Sequence, residues 1–69
     1  MPAITKEMTI GEVLTMDRET AYVFMSHGMH CIGCPHSIGE SIEEASLAHG
    51  VDADALVGSL NAFFAQKNA

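Results

Sequence analysis

Two cysteines stand three residues apart in the stretch GMHCIGCPHS, residues 28–37, and they are the only two in the chain. Cys31 and Cys34 lie between His30 and His36. Residue types in this pattern admit three readings. In the first the thiols form a reversible disulfide. Residues i and i+3 of a helical turn lie roughly 5 Å apart, inside the Cα range that a disulfide tolerates. Gly33, between the thiols, lets the backbone adapt to either redox state. Pro35 suits a first helical position. A helix starting there would turn its free N–H groups and positive end toward the sulfurs, which favours thiolate, the attacking species. His30 and His36 could add positive charge or carry a proton near neutral pH. A helix starting at Pro35 makes Cys34 the N-cap nearest the dipole, whereas in many CxxC sites the first cysteine is the exposed nucleophile; of these two assignments the expected one has Cys31 attacking and Cys34 resolving.

The second reading is a soft-metal site. Cys31 and Cys34 with His30 and His36 suit zinc, copper(I) or an iron–sulfur cluster. A closed zinc site takes four ligands, so one chain would use both histidines, or two chains would share the ion as a homodimer. The third reading is inert, since cysteine is among the residues most often buried and two can simply pack. Covalent haem attachment is excluded, because Pro35 stands where C-x-x-C-H needs histidine.

Other candidates have plainer explanations. His27 and His49 each precede a glycine that stops a helix, where a histidine can bond the last carbonyls. Met8, Met16, Met25 and Met29 read as core filler or edge contacts, and Tyr22, Phe63 and Phe64 as core. Glu43 and Glu44 read as a solvated face, with Glu44 capping. No Ser-His-Asp set, phosphate loop or carboxylate pair can be argued.

The elements that must position the cysteines follow from local signals. Thr9-Ile10-Gly11-Glu12 is a capping box, with Met8 and Val13 at staple positions. It predicts a helix over 10–16 with Val13 and Leu14 inward. Asp17 can cap a second helix over 18–27, with Ala21, Phe24 and Met25 as its apolar stripe. Gly28 and Met29 then form a glycine stop and the apolar residue that follows it. After the cysteines, one helical turn at 35–39 and a helix over 42–49 are expected, continuous as an alternative, with Ile38, Ile42 and Ala45 on one face. Gly50 and Val51 repeat the stop. Asp52 caps a last helix over 53–66, where Leu56, Val57, Leu60, Phe63 and Phe64 give the clearest helical stripe in the chain. No segment alternates long enough to demand a strand, although residues 3–8 could be extended. The fold class is all-α: four short helices packed across one another as a single domain, core 4–66, with the CxxC loop between the second and third.

Sixty-nine residues allow one small domain. A chain this short buries only about 60% of its unfolded surface, so the core is marginal. Nine acids against three bases give a net charge of −6. Nucleic acid and anionic membranes are therefore not expected as partners, because the phosphate term would repel. The chain has no apolar run of membrane-spanning length and no basic-then-apolar start, which predicts a cytoplasmic protein. A permanent staple is unexpected in a cytosolic chain, and a bridge across so short a loop would constrain the unfolded state little.

The string GMHCIGC resembles the signature of heavy-metal-associated domains, the small copper chaperones. Their β-α-β-β-α-β sandwich does not fit, because a capped helix precedes the motif here and the 18 residues after Val51 have a helical period. A wider likeness, from Ile4 to Phe64, runs through TIGEVL, GMHCIGCP and SIEEASLAHGVDADALVGSLN. It resembles the hybrid-cluster-protein-associated redox disulfide domain, a small bacterial domain. The likeness is most specific at Gly28, Met29, Cys31, Gly33, Cys34 and Pro35. His30 departs from it, since that position is often small in the family.

The resemblance implies an all-helical fold and a redox-active pair at Cys31 and Cys34. It also implies an accessory module rather than a complete enzyme, with an iron–sulfur or hybrid-cluster redox protein as partner; no bound cofactor is expected. Zinc, copper or an iron–sulfur cluster is the alternative cofactor set, and a non-catalytic interaction domain is a third function.

Overall fold

The computed structural model describes residues 3–29 and 38–67. These form four helices and, among the described residues, no strand: α1 Ile10–Met16, α2 Thr20–Ser26, α3 Ile42–His49 and α4 Ala53–Lys67. The all-α expectation holds.

Local chemistry starts α1 and α3 in the same way. The Thr9 hydroxyl accepts from the Glu12 N–H at 3.1 Å while the Glu12 carboxylate accepts from the Thr9 N–H at 3.0 Å. Ser41 and Glu44 repeat both bonds at 3.0 Å. The bonds from the cap backbone N–H hold the carboxyls of Glu12 and Glu44 below the ordinary range. At α4, Asp52 Oδ1 accepts from the N–H groups of Asp54 and Ala55.

The second helix is shorter than its pattern suggests. Asp17 is the C-cap of α1, and its carboxylate accepts from the Glu19 N–H at 2.9 Å. Its carbonyl accepts from the Thr20 N–H at 3.1 Å and the Thr20 hydroxyl at 2.6 Å. These bonds hold Asp17, Arg18 and Glu19 in a turn and delay the helix to Thr20.

The core comprises Ile4, Ile10, Val13, Phe24, Met29, Ile42, Ala45, Leu56, Leu60 and Phe64. The long α4 packs against α2 and α3, and α1 packs against α2. Phe24 and Thr20 are buried four residues apart on α2. Tyr22, expected inside, is 70% exposed. At about 100° per residue it lies on the far side of the helix from both. Ile38 also departs from the expected stripe and is 40% exposed. Gly39 and Glu40 leave the helical path, and Ser41 starts α3 afresh. The helix is therefore not continuous across residues 38–42, and Ile38 does not share the face of Ile42 and Ala45.

The segment before α1 is tied from two sides. The Asn61 side chain accepts from the Ile4 N–H at 2.8 Å and donates to the Ile4 carbonyl at 3.1 Å. One amide thus pairs both backbone groups of a residue 57 positions away. The Ile42 N–H donates to the Met8 carbonyl, and the Glu43 N–H to the Lys6 carbonyl. On the surface, Lys67 Nζ lies 2.7 Å from Asp17 and 3.2 Å from Glu19, joining the end of α4 to the α1–α2 turn. The bond from Lys67 lowers the Asp17 carboxyl from its usual range and raises the Lys67 ammonium. No helix among the described residues is long and apolar enough to cross a membrane.

Candidate functional site

His30, Cys31, Gly33, Cys34, Pro35 and His36 lie outside the described residues, as does all but the end of the turn expected at 35–39. The described structure supplies the two roots from which the eight-residue segment 30–37 departs.

The upstream root is the end of α2. Gly28 has φ +93°, in the left-handed region where a Cβ is strained. Its N–H donates to the Met25 carbonyl at 2.9 Å, and the Met29 N–H reaches back to the Phe24 carbonyl at 3.1 Å. These are the bonds of a glycine stop. Met29 is 1% exposed and belongs to the core cluster. The residue immediately before the undescribed segment is therefore held by packing and by a backbone bond. Beside it, the His27 ring Nε2 is 2.9 Å from the Ser59 hydroxyl on α4. His27 was expected to cap its own helix; its ring instead joins α2 to α4.

The downstream root is seated against the start of α1. The Ile10 N–H donates to the Glu40 carbonyl at 3.0 Å. Thr9 and Ser41, the two capping-box hydroxyl residues, form an isolated antiparallel bridge. The Ile38 carbonyl packs over Gly11, where an added Cβ would lie 3.0 Å from that oxygen and 3.4 Å from the Ile38 Cβ. Both roots are thus pinned to the helical body, and Cys31 and Cys34 belong to the eight residues of sequence between them.

Sequence reasoning missed three participants. Ser59 and Asn61 lie on α4 and act on residues 32 and 57 positions away, so no local pattern shows them. Gly11 sits inside a capping box as an ordinary interior position; only its contact with Ile38 marks it. Among the described residues, no group of three or more His, Cys, Asp or Glu side chains is arranged to hold a metal. The soft-donor set Cys31, Cys34, His30 and His36 is not among those residues.

Residues 4–57 match the family described as domain of unknown function, DUF1858. A solution NMR structure of a protein from Clostridium thermocellum is 57% identical in sequence. It aligns over 97% of this chain and 96% of its own with a TM-score of 0.87. No curated protein matches the sequence.

Proposed function

The chain belongs to the DUF1858 family, and from that premise we propose that it is a thiol–disulfide module. Cys31 and Cys34 cycle between dithiol and disulfide and exchange two electrons with a partner protein. The observation that carries the reading is the spacing CIGCP, residues 31–35, on a tether with two anchored roots. A thiolate of the pair attacks a partner disulfide sulfur. The mixed disulfide that forms is then resolved by the second thiolate, which releases the partner as a dithiol and leaves the pair oxidised. Cys31 is assigned the attack and Cys34 the resolution. Gly33 gives the backbone its freedom, and His30 and His36 handle protons. Pro35 begins the downstream turn.

The resemblance to hybrid-cluster-protein-associated redox disulfide domains supports an iron–sulfur or hybrid-cluster redox protein as the partner. It also supports an accessory role, which the sequence pattern would place in the cytoplasm. The test is thiol counting after equilibration in glutathione buffers of graded potential. A pair that stays fully reduced at every potential ends this reading. Cys34→Ser and Cys31→Ser, expressed separately, then identify the attacking thiol: the variant that retains it captures a partner covalently.

The second reading, a soft-metal module, draws on four donor side chains within seven residues, His30, Cys31, Cys34 and His36. Stoichiometric zinc, copper or iron in protein purified without chelator, lost on Cys31→Ser, would favour it over the first.

A further inference from the structure

We propose that the seam between the two halves of this chain is an interaction surface, and that its partner is a second copy of the same chain, which exchanges halves to form a swapped dimer. The described residues divide into two helical hairpins, α1 packed on α2 and α3 packed on α4, joined in sequence by residues 30–37. The hairpins begin alike, with Thr9-Ile10-Gly11-Glu12 and Ser41-Ile42-Glu43-Glu44, each a complete capping box. At the seam these starts meet reciprocally. The Ile10 N–H donates to the Glu40 carbonyl at 3.0 Å, and the Ile42 N–H donates to the Met8 carbonyl at 2.9 Å, on either side of the Thr9–Ser41 bridge. Reciprocal contact of like segments is the pattern of a two-fold interface between subunits. Here it lies within one chain.

Each hairpin is covered by the other. The ten core residues divide evenly, five in the first hairpin, Phe24 and Met29 among them, and five in the second, Leu56 and Leu60 among them. The charges match as well. Lys6 of the first hairpin meets Glu43 and Asp54 of the second, at 3.5 and 3.9 Å, and Lys67 of the second meets Asp17 and Glu19 of the first, at 2.7 and 3.2 Å. All four of these ion pairs cross the seam, as do the Asn61–Ile4 amide pair and the His27–Ser59 bond. None of these contacts depends on the two hairpins belonging to one molecule. A second copy supplies the same complement, so exchange costs chiefly the entropy of association.

The test uses full-length chains damaged in opposite halves, with a reductant present so that no dimer is disulfide-linked. Phe24→Asp and Leu60→Asp each place a carboxylate at a fully buried position, so each chain alone should lose its helical circular-dichroism signal. Unfolded in urea and refolded as an equimolar mixture, the two chains can pair the intact second hairpin of one with the intact first hairpin of the other. A swapped dimer then has one native unit out of two, so the mixture should regain about half the wild-type signal and elute from a size-exclusion column as a dimer. If either variant keeps its fold alone, Val13→Asp and Leu56→Asp, at positions equally buried, take their place. Wild type refolded at about 1 mM, the effective concentration set by a short connector, should give a dimer that is absent after refolding at about a hundredfold lower concentration. A mixture whose signal is only the mean of the two variants overturns the proposal, as does wild type that yields only monomer at the higher concentration. A wild-type dimer without recovery in the mixture marks association through outer surfaces and also overturns it.

Discussion

Gly28–Met29 and Gly50–Val51 end α2 and α3 with the same backbone device, yet the two stops carry different loads. In each, the glycine has positive φ, +93° and +68°. In each, the following N–H returns to the carbonyl five residues before it, Met29 to Phe24 and Val51 to Ser46. The side chains then diverge. Met29 is fully inside, while Val51 is half-buried. His27 reaches across to Ser59 on α4, while His49 is exposed. The second stop needs only to turn the chain into Asp52 and the start of α4. The first has to end a helix and fix the point from which the cysteine segment departs. A repeated local motif therefore supplies one simple connector and one root, and tertiary contacts make the difference.

Substitutions at equivalent positions test this contrast. Met29→Ala should be the most damaging, costing about 2–5 kcal/mol as a buried methionine truncation, while Val51→Ala should cost clearly less. Urea denaturation of the pair measures the gap, and equal losses would remove the distinction between root and connector. Next come Gly28→Ala and Gly50→Ala. Each forces a Cβ into a left-handed backbone at about 1–2 kcal/mol, with nothing within 4 Å of either added Cβ among the described residues. The similar cost expected at both sites would show that the backbone device is shared.

A third change should move stability the other way. The Ser46 hydroxyl, beside the second stop, is fully buried and has no hydrogen-bond partner among the described residues. Ser46→Ala should raise stability by about 1 kcal/mol or more by removing that desolvated group. A loss of stability there would mean that the hydroxyl has a partner in solution. The smallest effect is at the histidines. His27→Ala should lose about 1 kcal/mol with the bond to Ser59, and His49→Ala should stay within about 0.5 kcal/mol of wild type. A double-mutant cycle with Ser59→Ala measures the coupling directly.

What could be read from the residues alone was whatever short-range chemistry decides. The capping boxes at Thr9 and Ser41, the glycine stops, the Asp52 cap and the stripe of α4 are all settled within one or two turns of chain. Each appears where its pattern puts it. The misjudged positions were decided elsewhere. Tyr22 faces outward because Thr20 and Phe24 already fill the inward side of a seven-residue helix. Ile38 left its expected stripe because the Ser41 capping box restarts the helix three residues later. His27 found Ser59, and Ile4 found Asn61, through contacts that no window of neighbours contains. For the candidate site, sequence supplied the chemical groups, and the structure supplied the roots on either side of them.

On the proposed reading, a fixed helical body holds a cysteine pair with two stable states. Backbone amide NMR spectra of one sample, recorded in reduced and then in oxidised glutathione, decide whether it does. Two distinct spectra are expected, with the changes confined to residues 28–41 and the Thr9–Gly11 turn and with the amides of α4 in place. Identical spectra in the two buffers, in protein whose thiols remain free, would contradict it.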